Sequence, residues 1–248
     1  MSGHSKWHNI KVRKEKQDAT KAKFFTRVSR EIIIAVKQGG PDPENNLTLK
    51  NAIDRARAVN MPNDNIKKVI EKAAGGGEGT QLEEIFYEGY GSGGVAVLVK
   101  AATDNRNRTS SAVRAVFTKH GGNMGESGCV RWSFKNLGSI QVPVSAVGED
   151  KLMEVIMEAG AEDMQISDGM YEIQTAPEIF AQVRDTIEKA GIPIEDSEIT
   201  MIPQNTVRPS FEEAEKLFRM MRAMEELDDV QDVYANFDLP DDVLEKLM

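Results

Sequence analysis

Read for the spacing of its apolar positions, the chain divides into two regimes. From Asp18 the apolar residues recur at helical spacing: Phe25, Val28, Ile32, Ala35 and Val36 fall on one side of a helix at 100° per residue. Gly39, Gly40 and Pro41 end that helix. A second helix begins near Asn45 or Asn46 and buries Leu49, Ala52, Ile53 and Ala56, and the Met61-Pro62 step stops it. Asn63 or Asp64 is placed to cap a third helix carrying Ile66, Val69, Ile70 and Ala73. Three short amphipathic helices with short connections predict a small bundle. Gly75-Gly-Gly-Glu-Gly79 reads as a linker.

Beyond it the period changes. Ile85–Tyr90 and Val95–Lys100 predict two strands joined by a glycine turn, and Thr103-Asp104 a cap for a helix carrying Val113, Val116 and Phe117. Gly128–Phe134 reads as a further strand. Ser139–Val142, Asp150–Ala159, Met164–Ser167, Tyr171–Gln174, Pro177–Ala190 and Glu198–Ile202 then alternate as βαββαβ, with Asp168-Gly169 as the hairpin turn. Ser210–Leu227 is a long helix whose Met220, Met221 and Met224 read as core, and Val230–Phe237 is a closing strand. That last pair lacks a sheet of its own, and residues 81–134 lack a second helix–strand pair. The prediction is an α+β protein. An N-terminal three-helix domain (1–80) precedes two ferredoxin-like α+β domains, one (135–204) inserted in the other (81–134 plus 205–248).

Composition changes the picture through charge. The overall net charge of -9 hides a strong asymmetry. Residues 1–80 hold 16 Lys/Arg against 9 Asp/Glu, whereas residues 135–204 hold 4 against 14. A head of +7 on an acidic body attracts polyanions from one side only. The hydrophobic content of 40% and charged content of 29% are those of a globular protein. One cysteine excludes an internal disulfide framework, and no apolar run is long enough for a membrane helix, so a cytoplasmic protein is expected.

On the first helix, Lys16, Lys23, Arg27, Arg30 and Lys37 lie opposite the apolar stripe, and that side is expected to face outward as a phosphate-contacting surface. The preceding arm extends it with Lys6, His8, Lys11, Arg13 and Lys14; Trp7 is read either as a stacking side chain or as an anchor of the arm. Arg106 and Arg108 stand in the first turn of a helix, where the macrodipole disfavours cations. Either they grip a phosphate or carboxylate there, or they are solvated.

Other constellations carry less. Gly89–Gly94 imitates a dinucleotide fingerprint but is followed by a β-rich run instead of a helix. His4 and His8 have metal-ligand spacing without further ligands, so no metal and no cofactor are predicted. Cys129 reads as a buried structural thiol, and no convergent nucleophile, acid and base are found, so no catalytic residue is assigned and the chain is read as a non-enzyme.

The stretches "GHSKWHNIK", "AKFFTRVSREI", "NAIDRARAVNMPNDNIKKVIEKA", "YEGYGSGGVAVLVKAATDNRNRT", "VRAVFTKHGGNMGESGCV" and "VYANFD" together resemble the YebC/PmpR family over essentially the whole chain. Lys50 and Cys129 stand where arginine and serine are common in that pattern. The resemblance implies a three-domain α+β bacterial protein of the cytoplasm, usually labelled a DNA-binding transcriptional regulator. It also implies a relation to a mitochondrial translational activator of cytochrome oxidase and a link to ribosomes stalled on proline-rich chains. The partner is therefore DNA or ribosomal RNA. The sequence leans weakly toward RNA, since no helix-turn-helix signature is evident. The acidic residues 135–204 are left for solvent or a protein partner.

Overall fold

The computed structural model describes residues 21–76, 81–167 and 169–247. Helices α1 (Lys21–Gly39), α2 (Leu47–Ala58) and α3 (Asn63–Ala74) enclose a core of Val28, Ile32, Ala35, Val36, Leu49, Ala52, Ile53, Ala56, Met61, Ile66 and Ala73. Asn46 joins α1 to α2. Its side chain accepts from the Leu49 N–H at 3.0 Å and donates to the carbonyls of Ala35 and Gly40, each at 2.8 Å. The approach is close enough that a Cβ on Gly39 would lie 2.7 Å from the Asn46 side chain. No side chain caps α3: Pro62 precedes it, and Asn63, expected as a cap, is already helical. Asp64 instead sits in the first turn, where it complements the macrodipole.

The first sheet contains β1 (Glu83–Tyr90), β2 (Ala96–Thr103), the two-residue β3 (Asn123–Met124) and β8 (Val230–Ala235) in the order β3-β1-β2-β8, all antiparallel. The chain thus returns after about 130 residues to set β8 beside β2. Helices α4 (Arg106–Lys119) and α7 (Phe211–Glu225) cover one face. Val113, Phe117, Leu217, Phe218 and the three methionines pack there on Val97, Val99 and Ala101, and so does Leu244 of the short α8 (Asp241–Leu247). The alternate residues Ala96 and Leu98 point to the other face and meet Val130, Phe134, Met201 and Tyr234. Burial on both sides explains why β2 is apolar throughout.

The second sheet, of β4 (Phe134–Pro143), β5 (Asp163–Ser167), β6 (Met170–Thr175) and β7 (Asp196–Pro203), has the order β5-β6-β4-β7. This is the ferredoxin-like order for a βαββαβ chain. Helices α5 (Glu149–Ala159) and α6 (Phe180–Lys189) supply Leu152, Ile156, Val183 and Ile187 to its core.

Two local expectations fail for identifiable reasons. Residues 128–133 do not form a strand; β4 begins at Phe134 and runs ten residues. The buried Glu88 carboxylate on β1 accepts from the N–H groups of Gly128 (2.7 Å), Val130 (2.8 Å) and Arg131 (2.7 Å). Those donors are satisfied without a ladder, so the segment folds back as a loop ending in a short 3₁₀ turn. The cap of α4 is Asn105, whose side chain accepts from Arg108 N–H at 3.1 Å, while Thr103 accepts from Asn105 N–H one step earlier.

Candidate nucleic-acid interface

The cations singled out on α1 follow one stripe: Lys23, Arg27, Arg30 and Lys37, at spacings of four, three and seven. The expectation that this stripe faces outward is met only by Lys37, which is exposed; Lys23, Arg27 and Arg30 are half-buried. These three lie against the turn between α7 and β8. Lys23 Nζ stands 3.1 Å from Glu226 Oε2, Arg27 donates to the Glu225 carbonyl at 2.7 Å, and Arg30 donates to the Asp228 carbonyl and lies 3.3 Å from Asp229 Oδ1. Further along, Lys37 donates to the Leu82 carbonyl at 3.1 Å, and Ile34, on the same stripe, packs with Leu82 and Ala102. The physical reason is the end of α7. Its macrodipole is negative there, its Glu225 carbonyl accepts from Arg27, and the sequence Glu225-Glu226-Leu227-Asp228-Asp229 adds carboxylates.

Asp229 brings two of the predicted residues together. Its Oδ2 accepts from Arg108 NH2 at 2.8 Å and from Thr109 Oγ1 at 2.7 Å, while its Oδ1 faces Arg30. Thr109 Oγ1 in turn accepts from the Thr103 hydroxyl at 2.8 Å. Burial alone would raise the Asp229 carboxyl. The hydrogen bonds from Arg108 and Thr109, with the charges of Arg108 and Arg30, outweigh it and hold the group below its ordinary range. Arg106, in the same first turn of α4, donates to Glu83 at 2.6 Å in an exposed pair, and that hydrogen bond lowers the Glu83 carboxyl. The first turn of α4 therefore does grip anions, and in this structure they are the chain's own carboxylates. The arm residues Lys6, Trp7, His8, Lys11, Arg13, Lys14 and Lys16 lie outside the described residues, as does His4.

Sequence reasoning passed over α3. Its outer side exposes Lys67, Lys68 and Lys72, none of which forms an ion pair with a described residue; the polar side of the α3 wheel was the available signal. It also passed over Trp132 and Tyr90, both exposed, whose indole N–H and phenol O–H donate to the same Cys129 carbonyl at 3.0 and 3.1 Å.

Where the helical head meets both sheets, a cavity of about 730 Å³ is lined by residues that include Glu84, Phe86, Lys100, Arg131 and Tyr234. Arg55 enters it from α2, 3.2 Å from Glu31, 3.8 Å from Glu198 and 3.7 Å from Asp232. Burial raises the Glu31 carboxyl against the opposing pull of Arg55. Arg184 pairs with Asp54 at 3.0 Å, tying α6 to α2. The lining mixes charges of both signs. Cys129, expected as a buried thiol, is only half-buried near the rim of the Glu88 loop, and burial and the Glu88 charge push its thiol up. Among the described residues no cluster of three His, Cys, Asp or Glu side chains could hold a metal ion, and no helix is long and apolar enough to cross a membrane.

Comparison with known proteins covers the chain almost end to end. Residues 5–76 match the family described as "TACO1/YebC protein N-terminal domain", and residues 82–237 match "TACO1/YebC second and third domain". A protein of Dictyoglomus turgidum named "Probable transcriptional regulatory protein" is 51% identical over 248 residues, 100% of each chain. One of Aquifex aeolicus with the same printed name is also 51% identical over 248 residues, again 100% of each chain. The crystal structure of a conserved hypothetical protein from Aquifex aeolicus superposes with a TM-score of 0.79 at 51% identity, covering 90% of this chain and 93% of that one.

Proposed function

We propose, from the premise that this chain belongs to the TACO1/YebC family, that it is a nucleic-acid-binding regulator of gene expression, acting in the cytoplasm without catalysis. The observation that carries this reading is the segregation of charge. The 16 cations of residues 1–80 face 9 acids there, while residues 135–204 hold 14 acids against 4 cations. A polyphosphate approaches such a molecule from the head and is repelled by the inserted sheet. The printed names of the relatives support a regulatory role.

The contact surface comprises the arm (Lys6, Trp7, His8, Lys11, Arg13, Lys14, Lys16), the exposed side of α3, and Arg106, whose exposed pair with Glu83 exchanges readily for a phosphate. A structured RNA, ribosomal RNA included, is a second target beside a DNA duplex. The exposed cations of α3 are all lysines, point charges that hold phosphate without reading base edges.

Salt dependence tests the reading in the full-length chain. Replacing Lys11, Arg13 and Lys14 together with glutamine should flatten the slope of log affinity against log salt by about 2–3, at roughly 0.7–0.9 for each phosphate no longer neutralised. An unchanged slope with unchanged affinity would remove the arm from the interface.

A further inference from the structure

We infer that the α1 face carrying Lys23, Arg27 and Arg30 is a phosphodiester-binding site that the chain's own turn, residues 225–229, occupies in this structure. The inference rests on the reading that the head binds nucleic acid, and adds where a second set of contacts lies and what covers it.

The acceptors on the turn are those a nucleic-acid backbone would supply. Lys23 meets a carboxylate, Arg27 a carbonyl, and Arg30 a carbonyl and a carboxylate. The three cations span seven residues of helix, about 10 Å at 1.5 Å per residue. Long lysine and arginine side chains on a row of this length can reach successive phosphates of one strand.

The surroundings favour release of the head over disruption of the turn. Asp229 is fixed to the first sheet: its carbonyl accepts from Ala102 N–H at 2.8 Å, and its carboxylate keeps Arg108 and Thr109. When α1 departs, Asp229 is parted from Arg30 alone and remains hydrogen-bonded. The rest of the docking surface is mostly polar. It comprises Lys37 on the Leu82 carbonyl, Arg55 near Glu198 and Asp232, and Arg184 on Asp54, with one small apolar patch of Ile33, Ile34, Leu82 and Ala102. The 730 Å³ cavity lies at the same junction. Domain contacts of this composition resemble transient interfaces, for which relative motion of the domains is the default. Nucleic acid and the turn then compete for the same cations, and the apparent dissociation constant is the intrinsic one divided by the open fraction.

The test uses the full-length chain with two fluorescein-labelled probes of equal length, an RNA hairpin and a DNA duplex. One variant carries Glu226→Gln with Asp229→Asn, the two carboxylates that face Lys23 and Arg30 across this contact. A control carries Glu154→Gln with Glu158→Gln, the same charge change on exposed positions of α5. Raising an open fraction of about one in ten toward unity tightens binding about tenfold. Salt also loosens the turn contact of the wild type and so offsets part of its loss of affinity, whereas the variant, already open, should show the steeper salt slope. The control should stay within about twofold, and the gain should vanish in a Lys23→Gln, Arg30→Gln background, because those cations are the partners of the two carboxylates and the changes act on the same interactions. Equal gains in both pairs, or a gain that survives in that background, would overturn the inference. If the wild type binds through its arm and the turn variant matches the control, the head reading stands and this inference falls. If no variant binds either probe, both fall.

Discussion

Glu88→Ala is expected to lower the stability of the first sheet by about 3 kcal/mol or more. Three backbone N–H groups point at one carboxylate, and each donor left unpaired away from water costs about 1–3 kcal/mol. Water can reach the flanks at Gly128 and Arg131, whereas Val130 N–H is buried, so the lower part of the range applies. For a chain of this size the thermal midpoint should fall by about 6–12 °C. Glu88→Gln keeps the shape and one acceptor oxygen, and should fall between the wild type and alanine. Because the chain has more than one core, the more telling readout is amide exchange over 125–133, which should lose protection before the second sheet does. A Glu88→Ala protein that melts with the wild type and keeps this protection would show that the loop is held by something else.

Asp229→Ala should cost about 2–4 kcal/mol, the range for removing one partner of a buried, hydrogen-bonded charge cluster. Arg108, Thr109 and Arg30 are all deprived of an acceptor at once. The pH dependence carries the sign. The folded-state carboxyl of Asp229 lies below its ordinary value, so its contribution is fully present above the unfolded pKa of about 3.9 and is lost as pH falls through the folded value. The gap in unfolding free energy between wild type and Asp229→Asn should be widest near neutrality and close in acid. A gap that is constant from pH 7 to pH 3 would mean that the charge of Asp229 plays no part. Arg108→Ala should share part of this loss, whereas Arg106→Ala, removing only an exposed pair, should leave the melting temperature near that of the wild type.

The elements that were legible in the sequence are those whose stabilising neighbours repeat along the chain. The α+β class follows from a period that changes after the glycine linker. The helix stripes of Val28, Ile32 and Ala35, of Leu49, Ile53 and Ala56, and of the α7 methionines are buried as a 3.6-residue period requires. What was not legible depends on partners far away in sequence. A helical wheel shows that Lys23, Arg27 and Arg30 share a side; it carries no information about a turn 198 residues downstream of Arg27. Ile34, an apolar residue inside the cation stripe, was the one local sign that this side is partly covered. Nothing in the sequence singles out Glu88, because its partners are backbone N–H groups that leave no side-chain signature. For the same reason Gly128–Phe134, with its valine, tryptophan and phenylalanine, looked like a strand.

The central claim, that a basic head meets nucleic acid while the acidic sheet does not, is tested most directly by crosslinking. The full-length protein is irradiated in lysate, recovered with and without nuclease treatment, and its nucleotide-bearing peptides are mapped. The expected result is nuclease-sensitive material attached within residues 1–76 and near Arg106, with none in 135–204; sequencing that material decides between DNA and RNA. Crosslinks concentrated in 135–204, or recovery of no nucleic acid at all, would contradict it.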